Sequence, residues 1–294
     1  MADKVALPGM LSQNLLDNLI CPKCQGQLIS ENDSFACRDC SQLYEVKNNI
    51  PFLLEYEGKG FIDESADALI NRLKVFFKKS PFLFRVLSFI FGVSFVGKTA
   101  NQAIENIGEG KIIVNLGSGV NVVREDAVNI DFYPFRNVDI VADAGRLPLK
   151  DSSVDAVVCE SLLEHVADPA KVILEIKRVL KPGGLVYITA PFIAGFHSSP
   201  SDYYRWTKQG LREMMASFEE KESGVMYGPT SAFLSILCEW LALVLSFGSR
   251  KLHQFLLIIF TIITSPLKLL DYLLYRFPSS QNIAYGFYFI GVKT

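Results

Sequence analysis

Residues 111–119 read KIIVNLGSG, an apolar run from Lys111 to Asn115 that leads without a break into the turn Leu116-Gly117-Ser118-Gly119. A short apolar run closed by glycine reads as a buried strand of a parallel sheet. The glycines let the backbone approach a ligand closely, or adopt the positive φ that a turn needs. Either use fits the turn alone, and the segments that follow narrow the choice.

Ala127 to Ile130 reads as a second strand ending in Asp131, a position from which a carboxylate can accept hydrogen bonds from both hydroxyls of a ribose. Val138 to Val141 reads as a third, closed by Ala142-Asp143-Ala144, where the Asp143 side chain can hold an exocyclic amine such as that of adenine. In an open parallel sheet the carboxyl ends of the strands line one crevice, so these strand ends together describe a nucleoside pocket. Taken singly, either aspartate also fits a helix cap or a turn. A fourth strand, Ser153 to Cys159, precedes Glu160-Ser-Leu-Leu-Glu-His165-Val and a helix from Pro169 to Leu180 with Val172, Ile173, Ile176 and Leu180 on one face. Lys181-Pro-Gly-Gly184 stops that helix, and a fifth strand, Leu185 to Thr189, ends at Ala190-Pro191. With a sixth strand at Lys221 to Met226 and a last at Ile283 to Val292, the alternation predicts an α/β fold: a doubly wound, seven-stranded, mostly parallel sheet of Rossmann-like type.

The phrases VNLGSG (114–119), NIDFYP (129–134), VADAGRLPLKDSSVDAVVCESLLEHVADP (141–169) and LEIKRVLKPGGLVYITAP (174–191) occur in this order. Through them the chain resembles the class I S-adenosylmethionine-dependent methyltransferases of the ubiquinone-biosynthesis type. The resemblance implies that Gly117 and Gly119, with Ser118 between them, face the methionine portion of S-adenosylmethionine. It gives Asp131 to the ribose and Asp143 with Ala144 to the adenine, and Glu160 begins a segment lining the site. Val120 to Asp126 has room for at most about two helical turns, shorter than the family's first helix. Asn121 stands where the usual loop has its third glycine, and both departures also fit a noncatalytic scaffold of the same fold.

Methyl transfer from a sulfonium is an in-line displacement that depends on alignment and exclusion of water. This fold places acceptor contacts after strand five, here in PFIAGFHSSPSDYYRWT (191–207). His197 is the candidate base, since imidazole titrates near neutral pH. Asp202, Tyr203 and Arg205 are candidates for orienting the acceptor. Ser201 or Asp202 also fits a helix cap, Tyr204 and Trp206 fit ordinary core, and His165 fits a structural hydrogen bond.

Ahead of this domain, Cys21-Pro-Lys-Cys24 and Cys37-Arg-Asp-Cys40 are separated by twelve residues. Two such knuckles place four thiolates for a tetrahedral Zn²⁺, with short strands at Gln27 to Ser30, Ser34 to Ala36 and Leu43 to Lys47. A redox pair and an iron–sulfur site are the competing uses. LDNLICPKCQGQL and FACRDCSQLYEVKNNIPFLL, within Leu16 to Leu54, resemble the small zinc-ribbon activating subunit of RNA and protein methyltransferases. That resemblance implies a structural or interaction role for the ribbon. Cys159 and Cys238 stand apart in apolar surroundings and read as buried thiols.

Across 294 residues, 29 lysines and arginines face 31 aspartates and glutamates, so no overall positive field gathers nucleic acid. Half the residues are hydrophobic and the mean hydropathy is +0.25, which points to apolar surface meant for lipid or a partner. Most of the excess lies in Ser231 to Phe277. There Ser231, Ser235, Glu239, Ala242 and Ser246 fall on one helical stripe and Thr261, Ser265, Lys268, Asp271 or Tyr272 and Tyr275 on another, with Pro266, Lys268 and Asp271 read as interruptions of the second run. The helices are expected to lie in, or dip into, a bilayer interface, helped by Leu73 to Val96 with Lys74, Lys78, Lys79 and Arg85. A lid or a homodimer surface is the alternative. The first residues carry no secretory pattern, and the expected location is cytoplasmic, peripheral on the cytoplasmic face of a membrane. The expected organisation is a zinc ribbon at 1–56, an amphipathic helical linker at 57–107 and a methyltransferase domain at 108–294, with an apolar insertion at 228–279. The expected acceptor is a small molecule, lipid-linked or saccharide; RNA or protein is the alternative acceptor.

Overall fold

A computed structural model describes residues 11–31, 34–54, 87, 89–197 and 201–294 of the chain. The strands are β1 Leu28–Glu31, β2 Ser34–Cys37, β3 Leu43–Lys47, β4 Ile50–Leu53, β5 Ile113–Leu116, β6 Val128–Asp131, β7 Ile140–Ala142, β8 Val154–Glu160, β9 Leu180–Pro191, β10 Glu219–Tyr227 and β11 Gly286–Val292. They form one sheet in the order β1-β2-β3-β4-β7-β6-β5-β8-β9-β11-β10. From β4 through β9 neighbours pair parallel, and β11 runs antiparallel between β9 and β10. This is a Rossmann-like α/β arrangement with its order reversal at β5.

The apolar run of β5 is explained by burial on both faces. Val114 and Leu116 belong to one core cluster, with Val172, Ile173, Ile176 and Val179 of the helix Pro169–Val179. Ile113 belongs to the cluster on the other face, with Ala100 and Ile104 of the helix Ala100–Ile104. That helix opens with a capping box between Thr99 and Gln102.

The expected sheet of seven strands continues into the cysteine-rich segment, giving eleven among the described residues. The reason is β4, whose Phe52 and Leu53 pair parallel with Val141 and Ala142 of β7. The Ile20 N–H donates to Pro148 O (3.1 Å) and the Lys150 N–H to Asn18 O (3.0 Å). Leu15, Leu19, Phe35, Tyr44 and Leu53 share a core cluster with Ile140, Leu147 and Leu149. Of the expected linker at 57–107, residues 57–86 and 88 lie outside the described residues, as do Lys74, Lys78, Lys79 and Arg85.

A second difference concerns Val120 to Asp126, which forms no helix at all. The backbone N–H groups of Gly117 and Ser118 both turn onto Ile130 O, and Asn115 Nδ2 donates to Asn121 O. Val123 then tucks into the core, only 6% exposed. The chain from β5 to β6 is therefore fixed by hydrogen bonds to its neighbours.

The apolar insertion is a helical hairpin, Pro229–Leu245 followed by a continuous helical rod Arg250–Leu274 that passes through a 3-10 stretch at Ser265–Leu270. Lys268 and Asp271 do not interrupt the rod, because both are turned inward and buried. Asp271 accepts from the backbone N–H of Thr230 (2.5 Å) and Ser231 (3.0 Å) and from Ser231 Oγ (2.6 Å). It therefore caps the first turn of Pro229–Leu245, whose own N-cap, Gly228, has no side chain to offer. Lys268 Nζ donates to the carbonyls of Ile90 and Gly92, both at 2.7 Å. Asp271→Ala leaves these donors buried and unsatisfied, at a cost of about 3 kcal/mol. The expected result in thermal melts is a Tm lower by roughly 6–12 °C.

Candidate functional site

Parallel register brings the carboxyl ends of β7, β6, β5 and β8 to one rim. Leu116 pairs with Ile130 on one side and with Cys159 on the other, and Asp131 pairs with Val141. Gly117 to Gly119, Asp131, Asp143 and Glu160 thus follow from adjacent strands. Gly117 has φ +69° and Gly119 φ +52°, both in the region that favours glycine. A Cβ on Gly119 would meet no atom within 4 Å, so the turn faces open space.

Asp131 holds this turn. One carboxylate oxygen accepts the Gly119 N–H at 2.7 Å and the other the Tyr133 N–H at 2.9 Å. Each retains a lone pair for a ligand hydroxyl. Burial nevertheless raises its pKa. Glu160 is half-buried, is likewise raised by burial, and has no hydrogen-bond partner among the described residues. The Ser118 hydroxyl is buried without a partner. Such orphaned groups fit a polar ligand at this rim. Asp143 is exposed and forms a turn with the Gly145 N–H (2.8 Å), while Ala144 packs partly against the core. A buried pair that the sequence reading missed, Asn115 and Asn129, ties β5 to β6 (2.9 Å).

The acceptor candidates lie beside the end of β8. Arg205 grips Asp202 through two nitrogens, with Nη2 to Oδ2 at 2.6 Å, and also donates to Gly195 O at 2.8 Å. Asp202 accepts the His197 backbone N–H at 2.9 Å, and Arg205 holds it well below the usual carboxylate range. These two residues fix the loop that carries His197. Tyr203 is exposed, and its backbone N–H donates to Glu164 O.

Glu164 is the functional candidate absent from the sequence reading, which singled out only Glu160 and His165 in the segment after the fourth strand. It is 1% exposed, neither carboxylate oxygen has a hydrogen-bond partner, and burial pushes its pKa up to about 7. The Nε2 atoms of His165 and His197 each lie 3.9 Å from its Oε1. An acidic residue joined to histidine just past a strand end was the available signal.

In the amino-terminal segment, Cys21, Cys24, Cys37 and Cys40 have Sγ atoms all within 4.8 Å of one another. The pairs Cys21–Cys40 and Cys24–Cys37 are 3.7 and 3.4 Å apart. A tetrahedral zinc with Zn–S near 2.3 Å requires edges of about 3.8 Å, so the set fits the metal. The two knuckles repeat one design: Gln25 and Ser41, each following the second cysteine, take positive φ. Their N–H groups return to Cys21 O and Cys37 O. Burial alone would raise the Cys37 thiol, but the Cys40 and Asp39 N–H groups bring it down to about 7. The Arg146 guanidinium donates to Lys23 O (3.2 Å), linking the first knuckle to the chain just after Asp143.

Residues 90–188 match the family model for a methyltransferase domain. The dimethylglycine N-methyltransferase of Parasynechococcus marenigrum is 32% identical over 110 residues, covering 29% of this chain and 39% of that protein. A ubiquinone biosynthesis O-methyltransferase of Paracidovorax citrulli is 42% identical over 55 residues, 19% of this chain and 22% of that protein. The thiol S-methyltransferase TMT1B of Rattus norvegicus is 56% identical over 39 residues, 13% and 16%. The chain thus spans at most 39% of the length of these curated relatives. Among solved structures, a complex between the Haloferax volcanii Trm112 methyltransferase activator and a methyltransferase aligns with TM-score 0.45 at 18% identity, over 80% of this chain and 99% of that chain. Haemonchus contortus phosphoethanolamine N-methyltransferase 2 aligns with TM-score 0.42 at 18% identity, over 75% and 59%.

Arg205 ties Asp202 to Ala194 O and Gly195 O, so one side chain joins the chain before His197 to the chain after it. Arg205→Ala removes charge-assisted bonds and is expected to raise limited-proteolysis cleavage between residues 193 and 205 by roughly 10-fold or more, with the sheet still protected. An unchanged cleavage rate would show that the grip does not hold the loop.

Proposed function

We propose that this chain transfers a methyl group from S-adenosylmethionine to a small or lipid-linked acceptor at a membrane surface, with a zinc-bound ribbon bracing the catalytic sheet. The observation that carries the reading is the Asp131 carboxylate, held by the Gly119 and Tyr133 N–H groups at the order reversal of the sheet. There it is set to accept from ribose hydroxyls. Gly117, Ser118 and Gly119 would line the methionine portion, Asp143 and Ala144 the adenine, and Glu160 the floor next to the sulfonium. When bound, S-adenosylmethionine supplies an activated methyl on a cationic sulfur. The chain's part is to align that group and exclude water. His197, with Glu164 behind it, stands where an acceptor proton is received, and Tyr203 stands at the mouth. Asp202 and Arg205 act through the loop, as positioning residues. Cys21, Cys24, Cys37 and Cys40 would hold Zn²⁺, which substitutes for the core that so small a ribbon lacks.

The membrane part rests on the hairpin's inverted polarity. Its polar stripe faces the protein, with Ser231, Ser246, Ser265, Lys268 and Asp271 buried, while Phe233, Trp240, Leu243, Phe255 and Ile263 are exposed. At the tip Phe247 is 90% exposed. The Oγ atoms of Ser235, Ser246, Thr264 and Ser265 donate to carbonyls within the hairpin, as lipid contact demands. Arg250–Leu274 is 25 residues long, about 37 Å against a hydrocarbon core of roughly 30 Å. A cleft of about 420 Å³ between the hairpin and the chain entering β11, lined by Phe233, Leu234, Leu267, Leu270, Phe277 and Ile283, would take the apolar part of an acceptor.

Calorimetric titration with S-adenosylmethionine tests the first part. The intact chain is expected to bind, and Asp131→Ala to bind roughly 10- to 100-fold more weakly; no heat from the intact chain would overturn the reading. For the second part, flotation with vesicles of neutral and anionic phospholipid is expected to carry the protein upward, and Leu243→Glu with Phe255→Glu to leave it at the bottom. Intact protein remaining at the bottom, monomeric and without detergent, would sink the membrane assignment.

A further inference from the structure

We propose that Glu164, His165 and His197 form a second metal site, for a divalent first-row cation, beside the end of β8. One carboxylate oxygen and two imidazole nitrogens lie within 4.8 Å of one another, and each Nε2 is 3.9 Å from Glu164 Oε1. The site is independent of the cysteine cluster, and its existence does not require that methyl transfer be the reaction.

Two further observations separate it from a chance meeting of polar groups. First, Glu164 is buried and both of its oxygens lack a hydrogen-bond partner. A carboxylate so placed carries a heavy desolvation cost that the nearby Arg205 charge offsets only in part. A cation supplies the missing partner.

Second, the His165 imidazole is already oriented as a metal ligand is. His165 Nδ1 lies 2.5 Å from Ser201 O and His197 Nδ1 lies 3.1 Å from Gly195 O. A carbonyl accepts only, so His165 Nδ1 carries the proton and its Nε2 presents a lone pair on the Glu164 side; His197 Nδ1 also lies 3.4 Å from Arg205 Nη2, a donor only, and its Nε2 faces Glu164 Oε1 at 3.9 Å. That second bond, from the distal ring N–H to a backbone carbonyl, is the usual support of a ligating histidine. His197 is further fixed through its backbone N–H to Asp202, which Arg205 holds in turn.

Ligand bonds near 2.1 Å need donor separations of roughly 3.0–3.4 Å, so the two 3.9 Å edges to Glu164 close by under about 1 Å each. His197, at 43% side-chain exposure against 1% for Glu164, is the group free to make it. Two imidazoles and one carboxylate suit Fe²⁺, Mn²⁺, Co²⁺ or Zn²⁺ and leave coordination positions open on the solvent side of His197. In the metal-loaded form His197 is a ligand and no longer the proton acceptor; an acceptor hydroxyl bound to the cation would lose its proton to water, the oxygen keeping the electron pair under the metal's charge.

Equilibrium dialysis of the zinc-loaded full chain against Mn²⁺ or Co²⁺, followed by elemental analysis, tests the site without S-adenosylmethionine or any acceptor. The intact protein is expected to retain one ion beyond the zinc of the cysteines. Glu164→Gln and His197→Ala are expected to weaken that retention at least tenfold while leaving the cysteine zinc and the thermal melt in place. If the intact protein takes up neither ion, or both variants retain it as the intact protein does, the site does not exist. Should Glu164→Gln disturb folding, His197→Ala on the exposed loop decides the matter alone.

Discussion

The rim depends on one buried carboxylate. With no helix after β5, the glycine turn lacks the first-turn hydrogen bonds that would ordinarily hold it, and Asp131 replaces them from the next strand through the Gly119 N–H. The same side chain fixes the start of the following loop through Tyr133. Anchored at both oxygens, it cannot swing away, and its remaining lone pairs point where the turn leaves room. The Asn115–Asn129 bond beneath it keeps β5 and β6 in register, and Asp139 continues that chain by accepting the Asn129 N–H at 2.8 Å. The turn, the Asp131 carboxylate and the strand spacing are therefore one hydrogen-bonded unit.

The hairpin shows the opposite arrangement of polarity from a soluble helix pair. A buried acid caps the first turn of one helix from forty residues away, and a buried lysine closes carbonyls at Ile90 and Gly92. Both charges serve backbone groups inside the molecule, while many large apolar side chains lie on the outer surface beside the exposed Glu239, which pairs with His253. This is what lets so greasy a segment rejoin the sheet through β11.

Strand positions were legible because parallel strands buried on both faces produce continuous apolar runs, as in β5 and β8. The order of the rim followed from glycine and aspartate placed at strand ends. Less was legible wherever a long-range contact decides the structure. Lys268 and Asp271 look like breaks in an apolar run until their partners at Ile90 and Thr230 are known. Phe52 and Leu53 read as the end of the ribbon, since nothing local announces that their edge matches Val141 and Ala142. Glu164 was hidden for the same reason: its neighbour His197 comes from a loop more than thirty positions away.

β7 is only three residues long and stands where the seven catalytic strands would otherwise end. A bare parallel edge there would offer unpaired amides to any passing chain, the usual start of strand-by-strand aggregation. β4 fills that edge within the same polypeptide, so the ribbon also acts as a built-in guard against self-association. Cover of the β7 edge is thereby tied to the fold of the segment that carries the four clustered cysteines.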